Sequence, residues 1–231
     1  MELLILAVET STRAGSVSLS RGEEVLGAAL GNAASSHSTD LLDNIGSVLR
    51  EGNMRLSDIE LFAVTVGPGS FTGLRIGLAT VKAFAVCFGK PCVPVSTLAA
   101  IAHGAGDSEM TVSVLPAGRG EVYAQAFSVR GESVQALDAA AHIKPGNLVE
   151  RYLKAAAITL AGEGAPQHFE SLRQGELSCS LAPQPLPLAN SVAILAWAGY
   201  RRGEIVNAEY LVANYVRASD AEINERWLRQ N

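Results

Sequence analysis

Apolar residues run unbroken through Leu3-Leu4-Ile5-Leu6-Ala7-Val8, then alternate strictly with serine through Ser16-Val17-Ser18-Leu19-Ser20. The first pattern predicts a central strand buried on both faces, and the second predicts a strand with one face half exposed. Glu9-Thr10-Ser11-Thr12 and Arg21-Gly22 read as turns, leading to a third apolar stretch over residues 25–30. Turns this short make the three strands antiparallel neighbours. The period then changes to that of a helix over residues 37–50, where Leu41, Leu42, Ile45, Val48 and Leu49 share one face. Ser38 or Thr39 can cap it, Asp40 suits its positive end, and Gly52 lies just past its last turn. A strand over 61–66 feeds Gly67-Pro68-Gly69-Ser70-Phe71-Thr72-Gly73, from which a helix runs over 72–88 to the stop at Gly89 and Pro91. A short strand over 93–95 and a helix capped by Ser96 follow.

The pattern then starts again. Strands over 111–115 and 122–130, a turn at Gly131 and a strand over 134–137 precede a helix over 145–153. A strand over 157–161 and a helix over 190–202, capped by Asn190, complete it, with residues 162–187 the least patterned stretch. No sequence repeat accompanies this repeated order of elements. Two passes of βββαβα predict an α/β fold of two similar lobes, each built on a mixed sheet, with a cleft between them. This is the architecture of the actin, hexokinase and Hsp70 group, whose lobes are ribonuclease H-like. The expected division is 1–104 and 105–231, with the C-terminal segment a candidate to return to the first lobe.

Composition agrees with a packed globular chain. Of 231 residues, 48% are hydrophobic, 18% charged and only 6% aromatic, so Ala, Leu and Val must fill the core. The apolar runs are broken before the roughly 20 residues of a membrane span. Met1-Glu2-Leu3 offers no basic leader or cleavage site, so a cytoplasmic protein is expected. Cys87, Cys92 and Cys179 lack paired spacing and read as buried free thiols. A net charge of −5 argues against a free-standing nucleic-acid binder. Arg201, Arg202 and Arg217 form the one basic group that could meet RNA locally, or merely a solvated helix end.

Candidate chemistry is sparse. Thr10 and Ser11 lie on a turn whose backbone N–H groups could cradle an anion, or on an ordinary hydroxyl-rich hairpin. Gly67, Gly69 and Ser70 belong to a loop that is either an anion site at a helix N-terminus or a tight corner packed under Phe71. The Walker A pattern is absent, since Arg75 is not placed like its lysine. His37 has Leu41 at the position a second helical metal ligand would need, and His103, His142 and His168 are equally isolated. No metal site and no catalytic constellation is expected. The helix over 72–88 is apolar nearly all round, which suits burial in its lobe or contact with another protein, for instance as a four-helix bundle.

Taken together, Ala7-Val8-Glu9-Thr10-Ser11, His37-Ser38, the glycine loop through Leu74-Arg75-Ile76-Gly77, Val95-Ser96-Thr97-Leu98, Gly120-Glu121-Val122-Tyr123 and Tyr215-Val216-Arg217 resemble the bacterial TsaB (YeaZ) family over essentially the full length. The resemblance implies an actin-like paralogue of TsaD, the subunit performing the transfer chemistry of threonylcarbamoyladenosine formation beside the tRNA anticodon. It implies a non-catalytic subunit that supports TsaD by heterodimerisation, with TsaE joining, a homodimer when alone, and tRNA met only within the complex. Dimerisation through the first-lobe helices would engage His37, Leu41, Leu42, Ile45 and Val48, with Leu74, Leu78 and Val81. No cofactor is required, and ATP or ADP at a shared interface is the candidate ligand. The chain departs from the family at Pro116-Ala117-Gly118, where Asp-Ala-Arg is usual, and so lacks the acidic residue that serves phosphates in actin-like ATPases. An ATPase or small-molecule kinase using the cleft is the alternative expectation. The family's peptidase label would need metal ligands that this chain lacks.

Overall fold

The computed structural model describes residues 2–34, 37–152, 155–173, 178–183 and 187–216. Strand β1 (Leu4–Glu9) pairs antiparallel with β2 (Ser16–Arg21), and β2 with β3 (Glu24–Leu30). Helix α1 (His37–Glu51) then leads to β4 (Leu61–Gly67), helix α2 (Phe71–Phe88), β5 (Cys92–Ser96) and helix α3 (Thr97–Gly104). Strands β4 and β5 run parallel to β1, giving the sheet order β3-β2-β1-β4-β5.

The second lobe repeats this. Antiparallel strands β6 (Ser108–Gly118), β7 (Glu121–Arg130) and β8 (Ser133–Ala136) come first, with a short β9 (Ala141–Ile143) also on β7. Helix α4 (Pro145–Tyr152), β10 (Ala157–Ala161), helix α5 (Ala165–Arg173) and β11 (Ser178–Leu181) follow, and helix α6 (Ala189–Arg201) ends the pattern. The order β11-β10-β6-β7-β8, with β10 and β11 parallel to β6, matches the first sheet strand for strand. The predicted two-lobed actin-like α/β fold is therefore the observed one. Strand β9, helix α5 and strand β11 are additions to the expected list, the last two lying within the least patterned stretch.

Alternation along β1 explains the layers. Leu4, Leu6 and Val8 point to one face, where they join Val17, Leu19, Phe62 and Val64 under α1 and α2. Ile5 and Ala7 point to the other face, beneath α6 and α3. The second sheet turns Leu115, Phe127 and Val129 toward that same middle layer and carries α4 and α5 on its far side. Because α6 packs against β1 and β2 while α3 packs against β6 and β7, one hydrophobic core runs between the sheets. Strand β2 is accordingly buried on both faces, not half exposed as its alternation suggests: Ser16, Ser18 and Ser20 lie beneath α6.

The ends of the helices are set locally. The Ser70 hydroxyl accepts the Gly73 N–H at 3.1 Å and Gly89, with φ 61°, closes α2. Ser96 accepts from the Ala99 N–H at 3.4 Å as expected. Helix α1 already begins at His37, so Ser38 and Thr39 lie inside its first turn and not at the position preceding it. Asn190 likewise sits inside α6, whose first N–H, on Ala189, is accepted at 3.0 Å by the hydroxyl of Ser16. After α6, Val206 pairs with Cys92 at the edge of the first sheet, and Leu211 is buried beside α2. The Asn214 N–H donates to the Val66 carbonyl at 2.7 Å.

Candidate functional site

The glycine loop and the first hairpin turn meet. The Ser70 N–H donates to the Ser11 carbonyl at 2.8 Å, and a Cβ on Gly69 would stand 2.5 Å from that same oxygen. Gly77, one turn into α2, would bring a Cβ to 2.2 Å from the Thr10 hydroxyl. Gly67 needs its glycine for a different reason: its φ is 109°, and Asn214 of the returning segment closes over it. The strand-to-helix corner is thus a contact surface among three distant segments. Phe71, half-buried, has its ring centroid 5.2 Å from that of Tyr215 and the Arg75 guanidinium 3.8 Å over its face.

Thr10 and Ser11 are both buried. The Ser11 N–H and hydroxyl and the Thr12 N–H donate to one oxygen of the Glu9 carboxylate at 2.6, 2.7 and 2.8 Å. The Thr12 hydroxyl donates to its other oxygen at 2.7 Å. The turn's backbone and hydroxyl donors therefore converge on the chain's own Glu9 side chain. Sequence reasoning overlooked Glu9, although a carboxylate ending an apolar strand just before three hydroxyl residues is a readable signal. Across the cleft, the Arg13 N–H at the hairpin tip donates to the Glu163 carboxylate at 3.1 Å. The second-lobe hairpin tip, at Pro116-Ala117-Gly118-Arg119-Gly120, carries positive φ at its last three residues and no acidic side chain.

The candidate interface residues divide sharply by burial. Leu41, Ile45 and Val48 of α1, and Leu78 and Val81 of α2, are core residues facing the first sheet, and Leu74 is buried beside the Gly67 corner. So placed, they offer a partner little surface in this chain. The reason is that large aliphatic side chains at helical spacing mark the face that folds inward. Leu42 alone of the described set points outward, at 60% exposure, and the His37 side chain lies outside the described residues. The outward face of α2 is formed instead by Thr72, Arg75, Ala79, Ala83, Val86 and Cys87, with Val86 73% exposed. By length and composition α2 could also cross a bilayer. Its Leu78, Val81 and Ala85 face packs with Phe62 and Val64 of β4 instead.

The remaining candidates are dispersed. Arg201 is paired with Glu132, and Arg202 holds Glu204 at 2.8 and 2.9 Å, so both arginines sit in ion pairs at the solvated end of α6. Arg217 lies outside the described residues. Burial lowers the pKa of His103 and His168, and His142 lies 2.8 Å from Glu121. Among the described residues no group of three or more His, Cys, Asp or Glu could hold a metal ion. Of the cysteines, Cys87 is exposed, which corrects the expectation of three buried thiols, while burial pushes the Cys92 thiol up to about 11.

Fold and site together define a two-lobed protein of the actin-like class. At 12% identity and a TM-score of 0.53, component A of the Acidaminococcus fermentans (R)-2-hydroxyglutaryl-CoA dehydratase shares that fold, covering 87% of this chain and 98% of its own. The profile of the TsaD family, described as tRNA N6-adenosine threonylcarbamoyltransferase, matches residues 31–192. YeaZ from Pseudomonas aeruginosa superposes with a TM-score of 0.76 at 26% identity, covering 92% of this chain and 99% of its own. The Bacillus subtilis tRNA threonylcarbamoyladenosine biosynthesis protein TsaB is 24% identical over 233 residues, 98% of each chain. An uncharacterised Mycobacterium tuberculosis protein is 32% identical over 222 residues, 94% of this chain and 93% of its own. The chain belongs to the TsaD family, in its TsaB (YeaZ) branch.

Proposed function

We propose that this protein serves tRNA threonylcarbamoyladenosine formation as a non-catalytic subunit, by pairing with a TsaD-type transferase in the cytoplasm. The observation that supports pairing is the outward face of α2, where Ala79, Ala83, Val86 and Cys87 are exposed and charge is confined to Arg75 and the half-buried Lys82 at its flank. A solvent-facing helix of a monomer ordinarily carries charge there. Leu42 extends the apolar surface onto α1, which packs beside α2. Small side chains at such a face let a second pair of helices approach closely, as in a four-helix bundle. The same face would serve a homodimer when the transferase is absent, with TsaE, tRNA and a shared ATP or ADP joining only the assembled complex.

Size-exclusion light scattering of the chain alone, with a TsaD-type subunit, and as two variants tests this. Leu42→Asp should keep its fold and thermal midpoint yet lose the heterodimer and tRNA modification. Ile45→Asp places an unpaired charge in the core and should cost about 4 kcal/mol or more of stability. Retained pairing by Leu42→Asp would overturn the interface. Tight Mg-ATP binding with turnover by the isolated chain, read by calorimetry, would overturn the non-catalytic reading in favour of an ATPase.

A further inference from the structure

Glu9 is 1% exposed, yet among the described residues no cation pairs with it. Its five donors are the two successive backbone N–H groups and two hydroxyls of Ser11 and Thr12, with the Ser16 hydroxyl at 3.4 Å. Successive N–H groups aimed at one oxygen, flanked by hydroxyls, make the donor set by which proteins hold phosphate and other oxyanions. A buried carboxylate without a cation is costly unless such donors satisfy it fully. Ser16 adds a second link, since its hydroxyl also accepts the first N–H of α6. The anion therefore lies one hydroxyl away from the N-terminus of the helix that packs on both β1 and β2.

We infer that the Glu9 carboxylate is the resident anion of this turn, a built-in ligand occupying the place of a small oxyanion and, through Ser16, fixing the start of α6. The idea stands apart from the proposed partnership and survives its failure. Its consequence is that the turn becomes an open oxyanion site once the carboxylate is removed. Glu9→Ala should lose stability and recover it with sodium formate, acetate or phosphate, and not with sodium chloride at equal ionic strength. The thermal midpoint of Glu9→Ala should rise saturably by about 3 °C or more. The unsubstituted protein should show no such rise. Adding Thr12→Val to Glu9→Ala removes one donor and should weaken the recovery at least several-fold in anion concentration, which a merely structural role for Glu9 does not predict. If Glu9→Ala does not fold in chloride, circular dichroism after refolding in each salt is the readout, and formate-dependent recovery supports the inference. No recovery in any salt, equal recovery in chloride, or an equal rise in the unsubstituted protein would overturn it.

Discussion

Gly77 and Gly46 are both helical glycines, and their surroundings give them opposite expectations. A methyl at Gly77 would collide with the Thr10 hydroxyl at 2.2 Å, pushing α2 off the first hairpin turn. At Gly46 the nearest atom is the far end of the flexible Arg50 side chain, at 3.2 Å. Gly46→Ala should therefore stabilise the protein by about 0.5–1 kcal/mol, since alanine restricts the unfolded chain. Gly77→Ala should destabilise it by about 1–3 kcal/mol. Urea unfolding of the two variants checks both signs, and equal shifts would show that the Thr10 contact does not matter. The sequence marks the neighbourhood of Gly67, Gly69 and Gly77 as constrained, but cannot say by what. The atoms that leave no room belong to Thr10, Ser11 and Asn214, and only the fold brings them there.

At the scale of elements, periodicity is a reliable guide to which helices exist and a poor one to which face is free. The i, i+3, i+4 pattern of Leu41, Ile45, Val48 and of Leu78, Val81, Ala85 marks the face that packs on the sheet. The outward face carries little charge beyond Arg75, and Ala79 and Ala83 give no hydrophobic signal of their own. Cys87 reports on that face directly. Alkylation with iodoacetamide at neutral pH should modify Cys87 first and Cys92 last, because Cys92 is buried and its thiol pushed up to about 11. A TsaD-type partner should slow Cys87 labelling severalfold, as peptide mapping would read, and unchanged labelling in the complex would place the interface elsewhere. Helix α3 makes a separate prediction through His103 in its last turn. Burial lowers its pKa from the ordinary 6.5, so the folded protein holds it neutral where the unfolded chain takes up a proton. Its contribution is complete above about pH 6.5 and is lost as pH falls through the lowered folded value. Burial lowers His168 in the same sense. Denaturant midpoints between pH 7.5 and 5 should fall, and His103→Gln should flatten part of that slope.

For the whole molecule, the repeated order of elements discloses two lobes, while the sharing of helices between them stays hidden in the sequence. Strands β9 and β11 escape the sequence pattern because three or four residues carry little alternation, and helix α5 because it lies in the Gly-, Pro- and Ser-rich stretch. The assignment of α3 and α6 was unreadable for a different reason, since adjacency in sequence says nothing about which sheet a helix will cover. The chain runs from β5 straight into α3, yet α3 lies against β6 and β7. The inner face of the first sheet, with Ile5, Ala7, Leu61, Ala63 and Val93, is covered in part by α6, about a hundred residues downstream of that sheet. A fragment of residues 1–104 would expose this inner face, together with Leu98 and Ile101 of α3. It should therefore lack a cooperative thermal transition and give broad, poorly dispersed amide spectra. Adding residues 105–231 in trans should restore a single transition, because the missing middle layer is supplied by α6 and the second sheet. A fragment 1–104 that melts cooperatively alone would show instead that α1 and α2 suffice to hold the first sheet, and that the core shared between the lobes is an addition to an independently stable unit.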